Sequence, residues 1–246
     1  MENSDLPIRL IRQETVAQKT LAATFELPGL PYGFAPGQAA VLSLSEGGAP
    51  GEGRTLSLAS APSELPLVTF ATRTASGSRF KEALVRARPG DEFFLSPPFG
   101  EFLLPSGEEW AFPLIFLAGG IGITPFRSML REYGRTLAEK TSRPPVLLTL
   151  NRTAEETPYQ EECRQWDEGG IATWVPVETR SPKSGGRPRE ELVRRAMEEI
   201  LEQTGMEARL YLAGPPAMVD SLSEILTASF GFPRERLTVD LFFGYA

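Results

Sequence analysis

The chain has 246 residues, of which 41% are hydrophobic, and its formal net charge is −7. That charge disfavours general binding of nucleic acid and of anionic lipid, because both draw on clustered Lys and Arg. One cysteine and no histidine exclude an internal disulfide, a four-cysteine iron–sulfur site, a His-ligated haem and histidine-based catalysis within this chain, so we expect no metal site and any redox chemistry must use an organic cofactor.

The first part of the chain is rich in short strands. A helix is predicted at 78–87, where Ser78 is a suitable N-cap, and 46–53 is predicted to be a flexible polar loop. Several short strands separated by turns predict a small antiparallel β-barrel. The predicted strands are 7–14, 20–27, 39–44, 55–59, 67–73 and 91–95.

The second part alternates strands and helices, which predicts a doubly wound parallel sheet. The texture changes near 106–111, so we predict domains at 1–108 and 109–246. The predicted strands are 113–118, 146–151, 171–178, 209–213 and 237–242, and the predicted helices are 124–133, 158–166, 189–203 and 216–230.

The sequence also bears on location. No apolar run approaches the roughly 20 residues of a membrane-spanning helix. The first residues lack the basic start and apolar stretch of a secretory signal. We therefore expect a cytoplasmic protein without membrane insertion.

A glycine-rich turn joins the first strand of the second part to its first helix. Glycines let the backbone approach a ligand closely, and a helix N-terminus offers unpaired amides to a pyrophosphate. Taken alone, the turn fits equally well as a connection that only closes a parallel sheet. Its residues of interest are Gly120, Gly122, Thr124 and Pro125.

Several ordered motifs across these two parts resemble the ferredoxin–NADP reductase superfamily of flavoenzymes. Each motif alone has an ordinary explanation as a turn, a surface charge or a helix start. Their shared order makes the resemblance specific, and it covers about 36–245. The motifs are Pro36-Gly37-Gln38, Arg54-x-x-Ser57, Gly77-Ser78-Arg79-Phe80, Pro98-Phe99-Gly100-x-Phe102, Gly120-x-Gly122-x-Thr124-Pro125 and Gly214-Pro215-Pro216-x-Met218.

The resemblance implies an FAD-dependent NAD(P)H oxidoreductase that passes electrons to a separate acceptor, such as ferredoxin, flavodoxin or another small redox protein. Ser57 is implied near the flavin ring nitrogen that accepts hydride. Arg73 is a weaker member of the site, because an arginine at a strand end is more often a solvated charge. The implied flavin-site residues are Arg54, Leu56, Ser57, Arg73, Gly77, Ser78, Arg79 and Phe80.

The same resemblance implies a nicotinamide-nucleotide site in the second part. Arg180, with Lys183, Arg187 and Arg152, resembles the basic pattern that binds the 2′-phosphate of NADPH, although a solvated basic loop is the alternative and NADH stays open. The implied dinucleotide residues are Gly120, Gly122, Thr124, Pro125, Gly214, Pro215, Pro216 and Met218.

The last residues resemble the acidic and aromatic terminus of the family. By this resemblance, Asp240 corresponds to an acidic residue of the active site, and Phe242 corresponds to an aromatic residue beside the cofactors. Tyr245 is the alternative residue for covering the flavin. The alternative is that Phe242 and Phe243 lie on opposite faces of a last strand, with one of them in the core. This alternative is equally compatible with the sequence.

Two departures from the family pattern keep a second function open. Leu56 replaces the usual aromatic of the Arg-x-Tyr-Ser motif, and Ala213 replaces the usual cysteine before Gly-Pro-Pro. The alternative is a noncatalytic flavin-binding sensor or a partner subunit of a larger electron-transfer complex. An ordinary Rossmann dehydrogenase is disfavoured because the Gly-x-Gly-x-x-Gly pattern is missing.

Overall fold

The computed structural model describes residues 5–29, 32–75, 77–104, 112–140 and 143–243, without the side chains of 135, 138, 140 and 183. The chain divides into two compact units. The first contains the described residues up to Leu104 together with Thr124–Glu132, and the second contains the remaining described residues from 112 onward. The predicted boundary between 108 and 109 lies outside the described residues and stays a prediction.

The first unit is built on a six-stranded antiparallel sheet in the order β4-β3-β6-β1-β2-β5. The two outer strands approach each other, since the Ala59 amide after β4 donates to the Thr69 carbonyl of β5 at 2.8 Å. The sheet thereby curls toward a barrel. Its strands are β1 (Leu6–Ala17), β2 (Thr20–Glu26), β3 (Ala39–Glu46), β4 (Ala49–Ser57), β5 (Leu67–Arg73) and β6 (Glu92–Leu95).

One helix, α1 (Arg79–Arg86), belongs to this barrel. The Ser78 hydroxyl accepts a hydrogen bond from the Lys81 amide at 3.4 Å, which caps the helix start. Phe80 and Leu84 lie one turn apart and are buried in the barrel core. The burial of that apolar stripe fixes the N-terminus of α1 beside β3 and β4.

The second unit is built on a five-stranded parallel sheet in the order β11-β10-β7-β8-β9. Its central strands are buried throughout and apolar, as expected for strands covered on both faces. The strand order reverses direction between β7 and β10. Such a switch point leaves a crevice at the carboxyl ends of the strands.

The bounds of this unit follow the predicted alternation. The strands are β7 (Leu114–Gly119), β8 (Val146–Asn151), β9 (Thr173–Glu178), β10 (Arg209–Gly214) and β11 (Leu237–Leu241). The helices are α2 (Ile123–Lys140), α3 (Gln160–Glu168), α4 (Arg189–Thr204) and α5 (Pro216–Glu224). Among the described residues, no helix combines the length and the apolar character needed to cross a membrane.

The predicted fold class is confirmed, and two local predictions are wrong. The segment 46–53 is not a flexible loop, because Gly47 and Gly48 form a tight turn with positive φ and β4 starts at Ala49. Helix α2 continues past Gly134, where a Cβ would overlap Ile171 Cγ2, so that glycine allows close packing. The last helix follows the predicted range 216–230, with a change from α-helix to π-helix at Ile225–Ser229.

Candidate functional site

The glycine turn after β7 lies at the switch point of the parallel sheet. A short 3-10 turn covers Gly120–Gly122, and α2 begins at Ile123. Gly120 has φ +54°, and no described atom lies within 4 Å of the position that a Cβ would take there. The backbone at Gly120 is therefore open to an approaching group, as a phosphate-binding turn requires.

The other glycines at the switch point are explained by packing. A Cβ on Gly122 would overlap the Ala213 carbonyl oxygen, and a Cβ on Gly119 would overlap the Met218 sulfur. A Cβ on Gly214 would lie 2.6 Å from Met218 Cε. These glycines let the ends of β7 and β10 come together, with the buried Met218 side chain filling the space between them.

The Gly-Pro-Pro segment begins α5, with Pro216 at its first position, where the missing amide is not needed. The Gly214 carbonyl accepts a hydrogen bond from the Phe242 amide at 2.8 Å. Asp240 pairs with Ala213 in the parallel ladder of β10 and β11. The structure therefore brings Asp240 and Phe242 beside Gly214, as a site shared by these segments requires.

The predicted basic residues lie at the opposite edge of the same sheet. The Arg180 amide donates to the Arg152 carbonyl at 2.8 Å just beyond β8 and β9, and both side chains are exposed. Arg187 forms an ion pair with Glu191 at 3.3 Å. Arg152 and Arg180 are thus the pair that faces solvent beyond the strand ends.

In the first unit, Arg54 is one of the predicted cations that are largely enclosed. Its side chain is 15% exposed, and Nη2 lies 2.5 Å from Glu52 Oε1. The guanidinium carbon lies 5.6 Å from the centre of the Phe80 ring. Arg54 is therefore held at the start of α1 by a carboxylate on one side and an aromatic face on the other.

Arg73 and Lys81 add two further positive charges near Arg54. Burial, together with the positive charges of Arg54 and Arg73, lowers the pKa of the Lys81 ammonium. Three cations from β4, β5 and α1 thus share one neighbourhood with the N-terminus of that helix. Bringing like charges together costs free energy unless an anion neutralises them, so this cluster suits an anionic ligand. Lys81 was not among the flavin-site residues implied by the sequence.

The remaining flavin-site predictions occupy this unit in different ways. Ser57 is buried at the end of β4 opposite Ala39, and Leu56 packs against the barrel core. Gly77 and Ser78 precede α1, while Arg79 is exposed and paired with Glu46 at 3.0 Å. Arg79 is therefore not an enclosed cation, and only its amide lies at the helix start.

One aromatic residue near Ser57 was not among the predicted site residues. Phe99 bridges to Ala39 on the side opposite Ser57, so all three project from one face of the ladder. Its ring is 45% exposed, which is unusual for a phenylalanine in a barrel. The Pro-Phe-Gly motif was the signal that pointed to it.

Thr124 and Pro125 are buried in the first turn of α2 and group with the first unit. Tyr245, the predicted cover for the flavin, lies outside the described residues. The roles of all these residues toward cofactors stay predictions.

Comparisons with known proteins agree with this architecture. The family model of the oxidoreductase NAD-binding domain matches residues 116–224. The reductase component of propane 2-monooxygenase from Mycolicibacterium goodii is 29% identical over 251 residues, covering 96% of this chain and 69% of that protein. The equivalent component from Rhodococcus jostii is 30% identical over 222 residues, covering 86% of this chain and 56% of that protein.

A crystal structure gives the same fold over the full length. The ferredoxin NADP+ reductase from Neisseria gonorrhoeae with bound FAD and NADP superposes with a TM-score of 0.83 at 20% identity, covering 98% of this chain and 100% of that chain. This likeness shows that the chain has the two-domain fold of a ferredoxin–NADP reductase. The chain spans 69% and 56% of the length of the two propane 2-monooxygenase reductase components.

Asp240 is an acidic residue of the edge strand β11. Burial raises the pKa of the Asp240 carboxyl, although a hydrogen bond with the Leu241 backbone opposes this. The folded protein therefore binds a proton at pH values where the unfolded chain has released it. Ionisation of this buried carboxyl destabilises the folded protein. The destabilisation is absent below the ordinary Asp pKa and is complete once the pH has risen above the pKa of Asp240 in the folded protein.

We predict that Asp240→Asn raises the thermal midpoint at pH 7, because it removes the buried charge. The gain should shrink as the pH falls to about 3.5, below the ordinary Asp pKa. Thermal unfolding of both proteins across this pH range measures the difference. The exposed Glu168→Gln serves as control and should give no such trend. A gain of equal size at both ends of the range would contradict the prediction.

Proposed function

We propose that this chain is a member of the ferredoxin–NADP reductase superfamily. In this proposal it is an FAD-dependent oxidoreductase that takes hydride from NAD(P)H and passes electrons to a separate redox protein. The proposal is carried by the cluster of Arg54, Arg73 and Lys81 at the start of α1. A diphosphate is an anion of the size and charge that three cations and a helix N-terminus accommodate. The cofactor content of the Neisseria gonorrhoeae reductase supports FAD and NADP as the ligands.

The barrel residues bind and orient the flavin. FAD, when bound, supplies the acceptor for a hydride and the means of releasing its electrons singly. Arg54 presents a rigid fork of donors to the diphosphate, and the amides after Ser78 add further donors. Ser57 offers a buried hydroxyl at the end of β4. Leu56 covers flavin surface without the stacking that an aromatic residue would add.

The switch point of the parallel sheet binds the nicotinamide nucleotide. Gly120 opens the backbone to the pyrophosphate, and the first turn of α2 donates amides to it. Gly214, Pro215 and Pro216 border the nicotinamide half, beside Asp240 and Phe242. The exposed Arg152 and Arg180 favour NADPH over NADH, because a 2′-phosphate attracts guanidinium groups.

The acceptor is proposed to be a protein component of an oxygenase system or a small redox protein such as a ferredoxin. Support comes from relatives that are reductase components of a monooxygenase, and of the naphthalene 1,2-dioxygenase system of Pseudomonas putida. Because the chain contains one cysteine and no histidine, onward transfer uses a centre held elsewhere. We propose that the protein works in the cytoplasm, because NAD(P)H is available there.

Cofactor extraction followed by reduction tests the proposal. Purified protein is expected to release FAD on denaturation, and anaerobic NADPH should bleach the flavin absorbance in a stopped-flow instrument faster than NADH does. A protein that takes up no flavin on reconstitution would overturn the proposal. Bound flavin that neither nucleotide reduces would instead favour a noncatalytic sensor, which the substitutions at Leu56 and Ala213 keep in view.

The ion pair of Glu52 and Arg54 leads to a prediction on cofactor affinity. The Glu52 carboxylate occupies a donor of the guanidinium that the FAD diphosphate needs, and its charge repels that diphosphate. We predict that Glu52→Gln tightens FAD binding by about 2- to 5-fold, the scale of one partly exposed ion pair. Fluorescence titration of flavin-free protein with FAD measures it.

The matched control is Glu161→Gln, which removes the same charge from an exposed pair with Arg164 on α3, in the second unit. Its FAD affinity should stay within 2-fold of the parent protein on the scale of an exposed helical pair. Weaker binding by Glu52→Gln would show that the carboxylate holds Arg54 in its working orientation instead.

A further inference from the structure

The two residues that follow the Ser57-Leu58 segment are tied to the neighbouring strand. The Ala59 amide donates to the Thr69 carbonyl at 2.8 Å, and the Ser60 hydroxyl accepts from the Thr69 amide at 3.0 Å. Thr69 lies inside β5, so these bonds attach the end of β4 to the opposite edge of the curled sheet. They fix one side of Ala59 and Ser60 only.

The other side is fixed by α2. Arg127 Nη1 donates to the Ala59 carbonyl at 2.6 Å, and Ser128 Oγ donates to the Ser60 carbonyl at 2.7 Å. Both donors come from residues 68 positions further along the chain. Two adjacent side chains of α2 therefore hold the adjacent carbonyls of Ala59 and Ser60. We call this pair of hydrogen bonds the grip.

Burial makes these two bonds matter. Arg127 is 8% exposed and Ser128 is fully enclosed. A buried guanidinium that donates to a carbonyl is a strong, charge-assisted hydrogen bond, and its removal leaves a buried acceptor unsatisfied. A bond of this kind holds its acceptor in one place more firmly than an exposed ion pair, which water and salt weaken.

The position of this grip connects it to the proposed chemistry. Ser57, proposed to lie at the reacting edge of the flavin, is two residues before Ala59. Thr124 and Pro125, proposed to contact the nucleotide, lie in the helical turn before Arg127. The segment Thr124–Glu132 groups with the barrel, so these residues share one compact unit. Small displacements at a reacting centre reduce rates strongly.

We propose that Arg127 and Ser128 are positioning residues for flavin reduction, which hold the end of β4, and with it the Ser57 hydroxyl, in working register with the start of α2. The inference rests on the proposed function. Neither residue exchanges an electron or a proton during the hydride step. Their effect therefore falls on the rate of that step and on local backbone order, rather than on the capacity to bind FAD or nucleotide.

The test compares Arg127→Met, Arg127→Lys and Ser128→Ala with the control Arg131→Met. Arg131 lies one turn further along α2 and makes two 2.9 Å bonds to Glu64, with 35% of its side chain exposed. It belongs to the same helix face and the same unit, but its partner lies beyond the grip on Ala59 and Ser60. Loss of the Arg131 pair tests whether any weakening of helix attachment gives the same effect.

Two measurements are made on each protein. The first is hydrogen exchange of the Ala59 amide in flavin-free protein, which Arg127→Met should accelerate about 10-fold, on the scale of one charge-assisted bond. The second is the limiting rate of flavin reduction at saturating NADPH, which should fall about 10-fold or more with the nucleotide dissociation constant changed less than 2-fold. Ser128→Ala should slow reduction about 3-fold, and Arg127→Lys should recover part of the rate.

Several results would overturn the inference. One is Arg127→Met that reduces flavin at the parent rate, and another is a loss confined to nucleotide affinity. An equal slowing in Arg131→Met would assign the effect to helix attachment in general. If Arg127→Met does not fold, Ser128→Ala decides, since parent rate and parent exchange there would reject the grip. Failure of the proposed function is seen separately, in parent protein that lacks flavin or is not reduced by nucleotide.

Discussion

Replacing Arg54 by methionine is expected to weaken FAD binding by about 100-fold. Hydrogen bonds to charged groups contribute about 1.5–3 kcal/mol each, and 1.4 kcal/mol corresponds to a factor of ten, so the loss of a two-pronged contact gives this scale. The loss is enhanced because Glu52, 2.5 Å from the guanidinium in the parent protein, would face the diphosphate alone. The FAD dissociation constant of flavin-free protein, measured by fluorescence titration, tests the prediction.

A matched control and a double variant sharpen this result. Arg86→Met removes a guanidinium that is 79% exposed at the other end of α1, and should leave FAD affinity within about 2-fold. The pair Glu52→Gln and Arg54→Met together should bind FAD better than Arg54→Met alone, because neighbouring charges are not additive. FAD affinity at the parent level in Arg54→Met would remove Arg54 from the flavin site.

The sequence predicted the fold well where burial leaves a simple pattern. Strand β8 was predicted at 146–151 and is found at Val146–Asn151, because a parallel strand covered on both faces is a continuous apolar run. The start of α4 was likewise predicted at Arg189, after a proline that suits a helix boundary. Such segments carry their structural information locally, so no knowledge of partners is needed to place them.

Other features depend on partners far away in the chain. Strand β4 begins in a glycine-rich polar stretch, and it is a strand because Ala49–Ser57 pairs with β3 across a tight turn. Glycine often marks the end of a helix, yet α2 continues through Gly134. The glycine is needed there because a Cβ would overlap the packed side chain of Ile171.

The candidate site shows the same division. The motif positions were visible in the sequence, whereas the approach of Lys81 to Arg54 and Arg73 depends on the packing of α1 against the sheet. The bond from Arg127 to Ala59 joins residues 68 positions apart and has no local pattern. The residues proposed to contact the cofactors were therefore easier to nominate than those proposed to hold them in place.

Gly120 and Gly122 lie in one turn and are expected to fail in different ways when each is replaced by alanine. Gly122→Ala places a Cβ into the Ala213 carbonyl, so the ends of β7 and β10 must separate. Overpacking of this kind costs about 1–3 kcal/mol, and the thermal midpoint should fall even without ligands. Gly120→Ala adds a Cβ toward open space at φ +54°, with a backbone cost of about 1 kcal/mol.

The effect of Gly120→Ala should instead appear in nucleotide binding, because its methyl group would occupy the surface proposed for the pyrophosphate. We expect about 10-fold weaker NADPH binding, equivalent to about 1.4 kcal/mol, measured as the nucleotide concentration that half-saturates the rate of flavin reduction. Gly170→Ala is the control for backbone strain, since Gly170 has φ +65° and no described neighbour within 4 Å of a Cβ. If Gly120→Ala and Gly170→Ala lose equal stability and neither changes NADPH affinity, the open face of Gly120 serves the turn alone, and the nucleotide must bind by other groups.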